Sequence, residues 1–235
     1  MPRYEFAEFI VDIRNVYSEI EERCADYLYT GDRPTDYTIA VTPEELKQEQ
    51  ATVEHICAPG YLEFICAYRK LCNLIPLRYA MILHASTITW KDYGIGFFAR
   101  SGVGKTTHTR HWLKTLYPHA KIVNGDKPLV RFFEGKPYIY GTPWAGKENA
   151  QRNVKAPLTH LCLIERGEKN EVSPLPPQEA LELLMVQILL PPDPQALNNT
   201  LDMLEQLLSN CQLWRIRCTP VEESALLARM TMFGE

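Results

Sequence analysis

The sequence has no run of about 18 or more apolar residues, the length a membrane-crossing helix needs. Its opening stretch carries Glu5, Glu8 and Asp12 where a secretory leader requires an unbroken apolar segment. Membrane insertion and export are therefore not expected, and a cytoplasmic protein is. Positive charge is not in excess either: 25 Lys and Arg against 29 Asp and Glu give a formal net charge of -4. With no local basic patch in view, neither nucleic acid nor an acidic membrane surface is an expected partner. The seven cysteines form no Cys-x-x-Cys pair and lie mostly among apolar neighbours, which points to buried thiols rather than a metal site or a disulfide framework. Internal repeats and low-complexity tracts are also absent. What remains is an ordinary globular composition over 235 residues, 46% hydrophobic and 23% charged, enough for one domain or one domain with an appendage.

Patterning divides the chain near residue 80. Residues 1–80 read as an α/β portion packed on a core. They comprise an apolar-rich opening from Tyr4 to Ile13, a helical pattern from Val16 to Leu28, an alternating run Tyr37 to Val41, a capping box of Thr42 with Glu45, and a helix from Tyr61 to Ile75. Residues 81–235 read as the core. There β-rich runs are predicted at Ile82–Trp90, Ile95–Phe98, Lys121–Asn124, Leu129–Phe133, Tyr138–Tyr140, Leu158–Ile164 and Leu213–Arg217. Helices are predicted at Thr106–Leu116, Gln178–Leu190, Gln195–Leu208 and Val221–Met232.

The segment Ala99-Arg100-Ser101-Gly102-Val103-Gly104-Lys105-Thr106 matches the phosphate-binding pattern G-x-x-x-x-G-K-[ST] except at its first position, where Ala99 stands for glycine. An apolar strand feeds it and an amphipathic helix leaves it. Successive backbone N–H groups and the helix N-terminus can then converge on phosphate oxygens. On this reading Ser101, Gly102, Val103, Gly104, Lys105, Thr106 and Thr107 hold a nucleotide, with Lys105 reaching the β- and γ-phosphates and the Thr106 hydroxyl holding Mg2+.

Asp126 follows Lys105 by 21 residues, just past an apolar strand, where a metal-holding or proton-accepting carboxylate belongs; a plain turn aspartate in Asn124-Gly125-Asp126 is the alternative. His84 lies in the β-rich run ahead of the loop, and histidine is a residue type suited to proton handling, although a lone histidine is more often structural. The loop Gly141 to Asn149 mixes glycine, proline, an aromatic and polar residues, a composition of binding loops. Within and just beyond it, Lys147 can neutralise a transferring group, Glu148 can bind metal or a hydroxyl, and Arg152 can clamp an acidic substrate; each reads equally as a solvated loop residue.

The order of His84, a strand, Ser101-Gly102-Val103-Gly104-Lys105-Thr106 and then Gly125-Asp126 at a strand end resembles the core of HPr kinase/phosphorylase and the ATP-type phosphoenolpyruvate carboxykinases. The similarity spans about Ile82 to Arg166, and is closer still to short bacterial kinase-like proteins with an Asn-Gly-Asp turn and a Gly-Thr-Pro-Trp loop. It implies an α/β fold of mixed, α+β-like type: a mixed β-sheet carrying the phosphate loop, flanked by helices. It also implies ATP at the loop, Mg2+ near Thr106 and Asp126, and His84 at the reacting end. The expected activity is a kinase acting on a hydroxyl of a peptide, protein or metabolite, with a nucleotide-binding regulatory module as the alternative and carboxykinase chemistry as a third; a homo-oligomer is compatible with all three. One departure stands out: the family has adjacent aspartates after that strand, whereas this chain has Gly125 before Asp126.

Overall fold

In the computed structural model, residues 2–100 and 102–234 are described. The opening apolar residues form a hairpin of β1 (Arg3–Phe6) and β2 (Phe9–Arg14), turned through Ala7 and Glu8, both at positive φ. Helix α1 (Glu19–Arg23) is far shorter than the predicted Val16–Leu28 segment. Its pattern gives way to a 3-10 turn at Ala25–Tyr27, which brings β3 (Leu28–Tyr29) beside β1. Strand β4 (Tyr37–Ala40) pairs in parallel with β2 and completes a four-stranded sheet, β3-β1-β2-β4.

Helix α2 (Pro43–Gln50) starts with both bonds of the Thr42–Glu45 capping box, an arrangement typically worth about 1 kcal/mol. Helix α3 (Pro59–Leu74), begun by a proline at its first position, lays Phe64, Ala67 and Leu71 against the small sheet.

The large sheet begins with β5 (Ala80–Ile82) and continues with β6 (Ser86–Trp90), β7 (Tyr93–Phe98), β8 (Ala120–Asn124), β9 (Leu129–Phe133), β10 (Lys136–Tyr140), β11 (Lys155–Arg166), β12 (Glu171–Pro174) and β13 (Gln212–Cys218). The single run predicted over Ile82–Trp90 is thus two strands, broken at residues 83–85. Strand β12 had no distinct signal, being short and half polar.

The sheet is mixed. Strand β11 runs parallel to β7 on one side and β13 on the other, while its first residues pair antiparallel with β10. Because side chains alternate along a strand, Leu161 and Leu163 enter one core layer and Cys162 and Ile164 the opposite one. Helices α5 (Pro177–Met185) and α6 (Pro194–Asn210, capped by Asp193) pack on the first face. Helices α4 (Lys105–Thr115) and α7 (Glu223–Phe233) pack on the second.

The expected mixed α/β architecture is therefore observed, with helices on both faces of a mixed sheet. All seven cysteines are free thiols, five of them buried. Among the described residues, no helix is long and apolar enough to cross a membrane.

Candidate functional site

Strand β7 delivers the chain to the glycine-rich loop read above as a phosphate loop, and α4 begins at Lys105. Between them Gly102 and Gly104 lie at φ 74° and 120°, values that L side chains avoid, and a Cβ at either would meet nothing within 4 Å. The glycines are thus required by backbone conformation, which leaves the concave side of the loop open. Arg166, at the end of β11, donates from Nη2 to the Gly102 carbonyl at 2.7 Å and from Nε to the Val103 carbonyl at 3.4 Å, tying the loop to the central strand. Ser101 lies outside the described residues. Thr106 is exposed at the helix start, and Thr107 is half-buried on its first turn.

The Lys105 ammonium is buried: its side chain is 11% exposed and Nζ has no hydrogen-bond partner among the described residues. Burial pulls its pKa down to about 8, with Asp126 opposing that shift and Lys127 adding to it. A buried cation with no hydrogen-bond partner beside a glycine-rich helix start is suited to an anion.

Asp126 is held from three directions. His84 Nε2 donates to its Oδ1 at 3.1 Å, Lys105 Nζ stands 3.7 Å from the same oxygen, and Lys127 Nζ stands 3.1 Å from Oδ2. Burial by itself would raise the Asp126 pKa; the His84 hydrogen bond and the charges of Lys127 and Lys105 outweigh it and hold the carboxyl well below its usual range.

The turn carrying Asp126 is built by Asn124. Its Oδ1 accepts the backbone N–H groups of Asp126 and Lys127 at 2.8 and 2.7 Å, while its Nδ2 donates to the Thr142 carbonyl at 2.9 Å. His84 occupies the break between β5 and β6, its N–H bonded to the Gln187 carbonyl at 2.7 Å; the next residue, Ala85, donates to the Asp126 carbonyl at 3.0 Å. The histidine is thus clamped between the segment after α5 and the Asp126 turn.

Gly125 is not in the left-handed region, but a Cβ there would lie 3.3 Å from the carbonyl oxygens of both Ala145 and Ala150. A second carboxylate at this position would enter a crevice lined by acceptors. Gly146 (φ 74°) packs on the other side, where a Cβ would approach the Asp126 Cβ to 3.0 Å.

The loop from Gly141 to Asn149 divides in two. Gly141 to Ala145 are buried, with Trp144 inserted among Phe6, Phe64 and Tyr68 and its Nε1 donating to the Phe64 carbonyl at 3.0 Å. Gly146 to Asn149 are exposed. Lys147 shares with His84, Asp126 and Lys127 the lining of a pocket of about 880 Å3. Glu148 instead pairs with Arg110 on α4, and Arg152 is exposed on the segment leading into β11; neither lines that pocket.

The structure therefore brings His84, Lys105 and Asp126 into one cluster, with Lys147 across the adjoining pocket. Sequence reasoning missed Lys127, whose one signal was adjacency to Asp126, and Asn124, whose place in an Asn-Gly-Asp turn is its signal.

No protein-family model matches the sequence, and no curated protein matches it. Among solved structures, the HPr(Ser) kinase/phosphatase from Coxiella burnetii matches at 10% identity and a TM-score of 0.37, covering 66% of this chain and 95% of that one. What the chain itself offers is a glycine-rich loop followed by a buried lysine, with that lysine and a histidine both set against one aspartate.

Proposed function

We propose that the chain is an ATP-dependent phosphotransferase that moves the γ-phosphoryl group to a hydroxyl. The observation that carries this reading is the Asp126 carboxylate, which accepts a hydrogen bond from His84 and lies 3.7 Å from the buried Lys105 ammonium at the phosphate loop. Phosphoryl transfer asks a protein mainly to position its reactants and neutralise charge. The glycine-rich loop at the start of α4 and Lys105 serve the phosphates. The residues that would hold Mg2+ are Thr106, exposed at the start of α4, and Asp126. They suit an ion that draws most of its ligands from phosphate and water, and bound there it supplies neutralisation of phosphate charge.

His84 takes the part the absent second aspartate would have played. His84 Nε2 faces Asp126 Oδ1 at 3.1 Å, so Nδ1 is the nitrogen left to take the proton of the acceptor hydroxyl, while the carboxylate orients the ring and steadies the charge gained. Lys147, on the exposed half of its loop, stands ready to offset charge on the transferred group.

The test is incubation of the purified protein with γ-labelled ATP and fractionated cell extract. The expected result is label in an acid-stable ester, lost in Asp126→Asn. Tight Mg-ATP binding with neither transfer nor hydrolysis in any fraction would instead favour a nucleotide-binding regulatory module.

A further inference from the structure

The pocket of about 880 Å3 beside Asp126 has a wall that the phosphate chemistry does not use. It is lined by His84, Asp126 and Lys127 and, from the amino-terminal portion, by Arg23 of α1 and Tyr61, Phe64, Tyr68 and Arg69 of α3. The pocket is an open cleft of the volume that small ligands occupy. Its charge is one-sided: Arg23, Arg69, Lys127 and Lys147 line it against the single carboxylate of Asp126.

The two arginines are held in place from behind. Arg69 makes a paired contact with Glu49, at 2.7 and 3.0 Å, and Arg23 bonds Glu19 at 2.5 Å while its guanidinium lies over the Phe64 ring at 5.1 Å. Neither Glu49 nor Glu19 lines the pocket. Lys147 has no ion-pair partner among the described residues. Helix α3 is tied to the segment before α1, because the buried Glu63 accepts the N–H groups of Val16 and Tyr17 at 2.8 and 3.0 Å.

We infer that this pocket binds the phosphoryl acceptor, and that the acceptor is a small molecule bearing an anionic group and an apolar or aromatic body in addition to its hydroxyl. The anion is met by the guanidinium groups of Arg23 and Arg69 with Lys147, the body lies against Tyr61, Phe64 and Tyr68, and the hydroxyl faces His84 and Asp126. The place of the hydroxyl rests on the phosphotransferase reading; the anion and the aromatic contact do not. Arginine's planar fork suits carboxylate and phosphate alike.

The test uses the full chain, calorimetry, and three probes: 3-phenyllactate, phenyl phosphate, and the uncharged 3-phenylpropane-1,2-diol. The two anions should bind and the diol should not; preference for one anion over the other tells carboxylate from phosphate. Arg69→Gln should weaken anion binding by about ten- to a hundredfold, the loss expected for one charge-assisted bond. Glu49→Gln breaks the same surface pair but keeps the guanidinium, so it should bind the anions as well as the parent or better.

Equal loss in both variants would assign Arg69 a merely structural role and overturn the inference, as would failure of both anions to bind or equal binding of the diol. Mg-ATP binding, titrated on the same samples, should be unchanged in both variants. A parent protein that binds the anions but not Mg-ATP would overturn the phosphotransferase reading while leaving the anion pocket standing.

Discussion

Lys105 is the residue whose charge is most at odds with its surroundings. It is desolvated in the unliganded chain, with Asp126 at 3.7 Å as its compensation. Replacement by methionine removes a buried cation while leaving Asp126 with His84 and Lys127. We expect Lys105→Met to be at least as stable as the parent without ligand, yet to gain little stabilisation from Mg-ATP, both read by thermal denaturation.

The same burial sets a pH dependence. An unfolded lysine titrates near 10.4, whereas folded Lys105 is held at about 8. Below that value both states carry the proton and the full cost of burying charge is present; between there and about 10 the folded state holds fewer protons, so the cost fades. The stability difference between the parent and Lys105→Met should therefore narrow as pH rises from neutral to about 10, measured by denaturant unfolding. Over the same interval Mg-ATP affinity should fall, since phosphate favours the charged lysine.

For His84, replacement by glutamine should lower turnover by about a hundredfold or more, the usual range for general-base assistance, with nucleotide affinity little changed. An unchanged turnover number would return the histidine to a structural role.

At the scale of elements, the loop from Gly141 to Asn149 is a lever with a fixed end. Trp144 is 3% exposed and stacks on Phe64 at 5.4 Å, so the exposed half carrying Lys147 is anchored to α3. Trp144→Ala should cost about 3–5 kcal/mol of stability by cavity formation. Trp144→Phe keeps an aromatic ring to pack on Phe64 and loses the hydrogen bond to its carbonyl together with a smaller part of the buried volume. Denaturant unfolding of the pair should show most of the loss in the alanine variant alone.

Part of this organisation was legible in the sequence, because the strand, glycine-rich loop and helix around Lys105 and the α2 capping box are each coded by residues close together in the chain. The helical spacing of Tyr17, Ile20, Cys24 and Tyr27 was legible too, but it concealed a 3-10 turn, since i and i+3 contacts satisfy both forms. His84 was read as part of one long strand because nothing local shows that its N–H bonds to Gln187, more than a hundred residues away.

Across the whole molecule, the site is assembled from parts that the sequence keeps far apart. The phosphate loop leaves β7, Asp126 follows β8, His84 lies between β5 and β6, and Arg23 and Arg69 come from helices of the first 80 residues. The pairing of β6 with both β7 and β8 puts the loop and the Asp126 turn at one end of the sheet. Long-range pairing of this kind has no sequence period, so the contact between His84 and Asp126, and the cationic wall facing them, could be found only in the fold. Gly125 was visible, but its surroundings were not: a Cβ there would stand 3.3 Å from the carbonyl oxygens of Ala145 and Ala150.

The most direct test of the central claim is calorimetric titration of Mg-ATP into the parent protein and Lys105→Met, with both confirmed as folded by circular dichroism. The account predicts saturable binding to the parent, weakened by at least about tenfold in the variant, the cost of losing one charge-assisted contact to phosphate. Equal affinity in the two proteins, or no binding to the parent, would contradict it.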